Sequence, residues 1–408
     1  MVALTTFRVA DRGHGGQLRS FNLYGALGRH ADVEIVSLTD GGPPGRTDLA
    51  PGLVEVAVPR SDAHQHAADE MSLEVGLPVS DLAAGSEIDL TPAYLARLRE
   101  AATGADVVLL AEPYLAPALD AAGVDLPVIY DAFNVEADLK ADVLPRTAAG
   151  DDVLRRVVEV ERRALARASA VTACSADDGL RLATLAGRPR SDVTVVPNGT
   201  DTTAVRAVPP QVRAEAGARW LRRYHDLPQH DGAEPPTAIA LFLGSWHPPN
   251  LAAAEMVVAL ADESPQVLFV MGGRHGDAFE GRPLPANVLF TGVLTSRSKD
   301  LLLRVAHVAI NPMVQGSGTN LKIIEYMAAG VPVVSTAIGA RGLDLVHGEH
   351  LLVADEATWS AALRDGAADP GAAATRAIAA RTLVEQRYDW RTLGDRLAEV
   401  VLRVAQPA

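Results

Sequence analysis

Cysteine is almost missing from this chain of 408 residues; Cys174 is the single copy. That excludes a disulfide framework and a cysteine metal site within one chain. Cys174 itself lies in the apolar run Ala170–Cys174 and reads as a small buried hydrophobe. Long apolar runs are missing too. No stretch approaches the ~18 residues that mark a membrane span, and no charged N-terminal segment precedes an apolar one. Neither a span nor a signal peptide is expected, and the cytoplasm is the default location. Dense basic runs are also absent, while the net charge is −14 and the pI about 5.2. Nucleic acid is therefore not an expected partner. One local basic cluster, Arg155, Arg156, Arg162, Arg163 and Arg167, reads as a solvated helix face, so membrane contact is expected to be peripheral at most.

What is present is an ordinary globular composition, 48% hydrophobic and 22% charged. Single cores rarely grow past roughly 250–300 residues, so this length predicts two domains. Short apolar runs alternate with longer amphipathic ones, the pattern of a parallel sheet wrapped by helices in an α/β fold. In the first half, strands are expected at Val2–Phe7, Val33–Leu38, Val54–Val58, Asp106–Ala111, Val128–Asp131, Ala170–Cys174 and Val193–Val196. Helices fit at Leu18–Arg29, Tyr94–Thr103, Val153–Ala168 and Asp177–Ala186. Asp62–Thr91 fits no strand and reads as a helical insertion or a mobile loop. Residues 200–236 hold no strand-like run; Trp220–Tyr224 reads as a short helix, and the interdomain connection is placed near Thr200–Pro209. The alternation then restarts, with strands expected at Ala238–Leu243, Val267–Met271, Val288–Phe290, Val308–Asn311, Val331–Ser335 and Leu351–Val353. Helices fit at Leu251–Ala261, Ser298–Ala306, Leu321–Ala329 and Thr358–Ala368, and two more, Ala372–Arg387 and Arg391–Val404, close the chain. The expected division is 1–203, 204–385 and a final helix 386–408 packing back toward the first domain. Two doubly wound halves facing a central cleft would place ligands at the carboxyl ends of their strands.

Three strings carry chemistry. Gly13-His14-Gly15-Gly16-Gln17 joins the first strand to the first helix. Its glycines allow close backbone approach, and the helix start offers N–H groups to negative charge. It is neither a dinucleotide fingerprint, which needs a further glycine at Leu18 or Arg19, nor a Walker loop; a purely structural turn is the alternative. Val195-Val196-Pro197-Asn198-Gly199-Thr200-Asp201 ends a buried strand in a turn. The block from Asn311 to Val334 is the most informative. A strand ends at Asn311, a glycine-rich loop Gln315-Gly316-Ser317-Gly318 opens a helix, and Gly330-Val331-Pro332 leads into the next strand. Such a loop aims backbone N–H groups at a diphosphate. Lys322 adds positive charge in the first turn, where it opposes the helix dipole, so an anionic ligand explains it better than helix stability does. Glu325, one turn on, is placed to accept hydrogen bonds from a ribose diol.

The string Val196–Asp201 and the block Gly316–Val334 resemble those of the bacterial glycosyltransferase family 4, of GT-B fold and retaining stereochemistry. Phe242-Leu243-Gly244-Ser245 with Pro249-Asn250, Phe290-Thr291-Gly292-Val293 and Tyr388-Asp389-Trp390 are similar to it as well. The likeness runs over nearly the whole chain and is densest after Val193. It implies that Gly15 and Gly16 lie near the donor phosphates and the transferred sugar. Gly318, Thr319, Asn320 and Leu321 would offer N–H groups to the diphosphate and the sugar, with Ser317 and Gly244 beside them, and Glu325 would hold the ribose. Val293 and the loop Gly272-Gly273-Arg274 would border the base. Three departures stand out. Ser317 replaces a frequent Glu; Ser245–Asn250 lacks the usual Arg/Lys pair, for which Arg274 or Lys322 would substitute; and Phe133 stands where a His often follows the fifth strand.

The resemblance implies transfer of a hexose-type sugar from a nucleotide-sugar donor to a hydroxyl acceptor, with no metal and no further cofactor, and no Asp-x-Asp occurs. The acceptor is open among a small molecule, a lipid-linked sugar and a polysaccharide, and is expected to meet Asn134, Glu136 and residues 62–91. His14, oriented by Asp11, is the candidate base for an inverting alternative. A nucleotide-sugar epimerase of the same fold, and a binding protein without transferase activity, are the other readings.

Overall fold

The computed structural model describes residues 1–227, 234–315 and 319–405. The chain forms two compact units, Met1–Asn198 together with the segment that begins at Trp390, and Gly199–Asp389. In the first unit, β1 (Val2–Thr5) leads to α1 (Gly15–Leu27), β2 (Val33–Thr39), β3 (Gly45–Ala50) and β4 (Leu53–Pro59). Three helices follow, α2 (Asp62–Val75), α3 (Ser80–Ser86) and α4 (Pro92–Thr103), and then β5 (Val108–Leu110), α5 (Ala116–Ala122) and β6 (Val128–Ala132). Next come α6 (Glu136–Val143), α7 (Ala148–Arg167), β7 (Ala170–Ala173), α8 (Ala176–Ala186) and β8 (Val193–Val195).

The sheet order is β3-β4-β2-β1-β5-β6-β7-β8, and every pairing but β3 with β4 is parallel. Strands β1, β5 and β6 are buried along their whole length, which is why they read as continuous apolar runs rather than alternating ones. Their side chains, with Tyr94 and Leu98 of α4 and Leu165 of α7, form the core of this unit.

The second unit opens with α9 (Pro210–His225), followed by β9 (Ala238–Leu243), α10 (Pro248–Ala261), β10 (Val267–Gly272) and β11 (Val288–Gly292). It continues through α11 (Ser296–Val305), β12 (Val308–Asn311), α12 (Leu321–Ala328), β13 (Val333–Ser335), β14 (Leu352–Val353), α13 (Trp359–Ala368) and α14 (Pro370–Arg387). Its sheet, β11-β10-β9-β12-β13-β14, is parallel throughout. Taken in chain order, this is the 3-2-1-4-5-6 winding of dinucleotide-binding folds, which reverses direction between β9 and β12. The first unit has the same reversal between β1 and β5. The last helix, α15 (Trp390–Ala405), returns to the first unit and lies against α1. Gly394 makes the contact close: a Cβ there would sit 2.5 Å from that of Ala26. Asp395 accepts from Arg29 (2.5 Å) and approaches His30 (2.7 Å) beside it.

The strands expected from the sequence all form, to within a few residues at their ends. Four findings differ from the reading or sharpen it. Residues 62–91 are helical rather than a loop. The helix expected at Trp220–Tyr224 runs from Pro210 to His225. The polar antiparallel edge strand β3 and the short helices α5 and α6 had no counterpart in the sequence reading. The expected breaks at 203/204 and 385/386 both fall inside the second unit, close to its ends. Cys174 is fully buried, 3.6 Å from the carbonyl of Ala132, and burial pushes its thiol up to about 12. On α7, Arg155 pairs with Asp152, Arg163 with Asp120 and Arg167 with Asp125, as a solvated helix face would. Among the described residues no helix is long and apolar enough to cross a membrane.

Candidate functional site

The carboxyl ends of β9, β10 and β12 bring together the residues on which a donor site would rest. Strand β9 delivers Phe242 and the loop Gly244–His247, α10 brings Asn250 in its first turn, β10 delivers Gly272–His275, and the segment after β12 leads into α12. Lys322 stands in the first turn of α12, half-buried. Its ammonium donates to Asn250 Oδ1 at 2.6 Å, lies 3.7 Å from Met313 Sδ and sits 4.6 Å from the ring centroid of Phe242. No carboxylate pairs with it among the described residues. Burial alone drives its pKa down to about 7, because these neutral neighbours replace little of the water that would solvate the charge. The helix itself begins without help: the side chain of Asn320 does not cap it. Asn320 turns instead toward the carbonyl of Gly339 at 3.4 Å. The first N–H groups of α12 and a cation with no carboxylate partner among the described residues therefore occupy one turn.

Glu325 lies one turn on and pairs at 2.5 Å with Lys299 of α11, a residue the sequence reading did not single out. That pair fixes the carboxylate on the side of the sheet where α11 enters. Gly244 is wedged against the next loop. Gly273 has φ +125°, and a Cβ on it would fall 1.8 Å from the Gly244 carbonyl, so only glycine permits the approach. That same carbonyl accepts from Nδ1 of His275 at 2.8 Å. His275 is fully buried between Phe242 and Phe290, and burial outweighs this bond in lowering its pKa. The imidazole is thus neutral at pH 7, with Nδ1 carrying the proton and Nε2 buried without a partner. It adds no second positive charge beside Lys322. Arg274, by contrast, is exposed and 3.6 Å from Asp277. Val293 is 73% exposed beyond the end of β11. Thr319 is buried and Leu321 half-buried. Ser317 and Gly318 lie outside the described residues.

In the first unit the loop between β1 and α1 is tied from two sides. Glu55 of β4, fully buried, accepts from the N–H groups of Val9 (2.6 Å) and Ala10 (2.9 Å) and from Ser37 Oγ (2.6 Å). Gln17 accepts from the N–H groups of Gly13 (2.6 Å) and His14 (3.1 Å) and donates to the carbonyl of Arg8 (2.7 Å). Gln17 thus takes the N–H groups of Gly13 and His14, which precede α1. Gly16 has reason to be glycine, since a Cβ would press on the Phe7 ring at 3.2 Å and the His14 ring at 3.3 Å. His14 stands edge-on to Phe7, centroids 4.8 Å apart. Its outer face is exposed, but the protein around the ring lowers its pKa, with Asp11 pulling the other way.

At the same sheet end, Glu136 is buried and accepts from Tyr114 (2.7 Å) and Asn134 (3.2 Å). Its pKa is raised, chiefly by burial. Glu161 of α7 caps the start of α6 by accepting from the N–H groups of Glu136 and Ala137, both at 2.9 Å, and burial raises its carboxyl to about 7. Glu112, after β5, takes a hydrogen bond from Thr6 at the end of β1, across the point where the sheet reverses. Burial, and then the charge of Glu136, raises Glu112 to about 8, so it holds its proton at neutral pH. Nothing in the local sequence Leu110-Ala111-Glu112-Pro113 distinguishes this carboxyl from a surface one.

Two family models match the chain in succession. A glycosyl transferase 4-like domain covers residues 15–199, and the model described as glycosyl transferases group 1 covers residues 237–369. The chain belongs to the GT-B glycosyltransferases. The fold of this GT-B chain is similar to that of sucrose-phosphate synthase from Thermosynechococcus elongatus, with a TM-score of 0.72 at 18% identity over 99% of this chain and 98% of that one. In sequence it is similar to phosphatidyl-myo-inositol mannosyltransferase of Mycobacterium tuberculosis, 29% identical over 53% of this chain and 55% of that protein. Glycogen synthase of the same organism is 28% identical over 61% of this chain and 57% of its own length. The matched stretch thus spans little more than half of either sequence relative.

Proposed function

We propose that this chain moves a hexose-type sugar from a nucleotide-sugar donor to an acceptor hydroxyl, with retention at the anomeric carbon and without a metal. The observation that carries the reading is Lys322, an ammonium in the first turn of α12 with neutral neighbours and, among the described residues, no carboxylate partner. Holding a cation there costs free energy and works against the helix dipole; an anionic ligand removes both penalties. A diphosphate at this point meets Lys322 and the first N–H groups of α12, while Glu325 is one turn away for the ribose.

In the reaction the bond between the anomeric carbon and the diphosphate oxygen breaks, and negative charge grows on that oxygen. Charge-assisted donors already in place stabilise it most effectively. The acceptor oxygen bonds to the anomeric carbon, and its proton passes to the departing phosphate on the same face. His14 supports a second reading. Its lowered pKa keeps it neutral and able to take that proton on the opposite face, which would invert the centre.

The test is a thermal-shift panel of UDP, GDP, ADP and TDP with their hexose conjugates, run with chelator present. One base family is expected to stabilise the protein, and Lys322→Ala and Glu325→Ala to lose most of the shift. Folded wild-type protein that responds to no nucleotide would sink the donor-site reading. With a competent donor and acceptor, the anomeric coupling of the product in a proton NMR spectrum separates retention from inversion.

A further inference from the structure

The loop after β9 displays one side chain that the chemistry above leaves unused. Trp246 is 62% exposed, and its ring neighbour is His247, tilted and 6.4 Å away. An indole left in water forgoes the burial that normally rewards so large an apolar group. The other three tryptophans, Trp220, Trp359 and Trp390, are all buried or half-buried. The backbone beneath Trp246 is held. Ser245 Oγ accepts from Asn250 Nδ2 at 3.0 Å and from the N–H of His247 at 3.4 Å, and Pro248 and Pro249 start α10 with their φ angles fixed. Asn250 in turn accepts the ammonium of Lys322. The backbone that carries the indole is therefore tied to Lys322 through Ser245 and Asn250, and little backbone ordering entropy is left to lose on binding.

The sheet edge also has a direction. Glu325 pairs with Lys299 of α11, the helix that follows β11. Lys322, three residues earlier on α12, reaches Phe242 near the end of β9 and Asn250 in the first turn of α10. A nucleoside at Glu325 puts the diphosphate at Lys322, and the next group along the donor is the glycosyl ring, on the side of the loop that bears Trp246. Resting on the donor-site reading, we propose that Trp246 is a specificity residue of that site, its indole stacking on the C–H face of the transferred hexose. A pyranose offers such an apolar face while its hydroxyls point outward, so one aromatic plane selects the ring without satisfying any hydrogen bond.

Two variants, Trp246→Ala and Trp246→Phe, test this by calorimetric titration with UDP, GDP, ADP and TDP and with the glucose and mannose conjugates of each. The expected result is that Trp246→Ala binds the free nucleoside diphosphate within twofold of wild type, yet loses about tenfold in affinity for the sugar conjugate. Trp246→Phe, which keeps an aromatic plane, should recover most of that loss. Quenching of tryptophan fluorescence by the conjugate, absent in Trp246→Phe, is the accompanying signature. Equal loss for the diphosphate and its conjugate would assign the indole to the nucleotide and overturn the proposal. So would no loss for either, or wild-type protein that binds a diphosphate but none of its conjugates. In each of those cases the donor site itself stands. Wild-type protein that binds no nucleotide at all is the separate outcome in which the donor-site reading fails first.

Discussion

Lys322 titrates where its ligand would make a difference. Its ammonium is lowered to about 7 in the free protein, so at pH 8 most molecules carry a neutral amine. A bound diphosphate favours the charged form, so binding above that pH must draw in a proton. Affinity for a sugar nucleotide, whose diphosphate does not itself titrate near neutrality, is expected to be flat below about pH 6.5 and to weaken as pH rises from 7 to 9. Calorimetry at pH 8 in two buffers of different ionisation enthalpy should register proton uptake. Lys322→Arg, always charged, should abolish both effects. An affinity unchanged from pH 6 to 9 would refute the assignment. This residue and Glu325 were legible in the sequence because a cation in the first turn of a helix after a glycine-rich loop is anomalous on its own. Lys299, His275 and Glu112 were not, since what singles each of them out is a partner or a degree of burial supplied by a distant element.

At the scale of elements, the loop between β1 and α1 depends on a strand that is not its neighbour in sequence. Glu55 of β4 accepts from two N–H groups of the turn Val9–Asp11. In Glu55→Gln one of the two carboxylate oxygens becomes an amide NH2 facing donors. The expected cost is about 1–3 kcal/mol in chemical denaturation, with faster amide exchange confined to residues 7–16. A change below 0.5 kcal/mol, about the spread of neutral surface substitutions, would show that the turn holds itself.

Which elements could be read beforehand follows from where they bury. The central parallel strands form unbroken apolar runs, and α7 and α15 carry long one-sided stripes. Strand β3, with Arg46, Thr47 and Asp48, lies at an edge and gains its place from pairing with β4. The short α5 has a proline in its first turn, so its sequence reads as a turn. Helix α6 owes its start to Glu161, a carboxylate from another helix.

Across the whole molecule, the buried acids and the half-buried Lys322 set opposite pH responses in the two units. Glu112 and Glu161 keep protons up to about 8 and about 7, against an ordinary value of 4.5. Between 4.5 and those values the folded first unit holds more protons than its unfolded chain, so its stability falls as pH rises. Lys322 is the reverse. Unfolded, it holds its proton up to 10.5, and folded only to about 7, so the second unit gains stability as pH rises through that window. Thermal scans from pH 5 to 9 should show two transitions diverging with pH, and Glu112→Gln should flatten the one that falls. A single transition with one sign of slope in both proteins would contradict this.

The return of α15 to α1 bears on how the molecule is made. Every residue of the second unit precedes α15 in the chain, while the first unit lacks a cover for the Ala26 face of α1 until α15 arrives. A chain growing from its N-terminus therefore finishes its second unit before its first. The half synthesised earliest is the last to close, and it waits with an apolar helix face in water for as long as the ribosome takes to translate Gly199–Asp389.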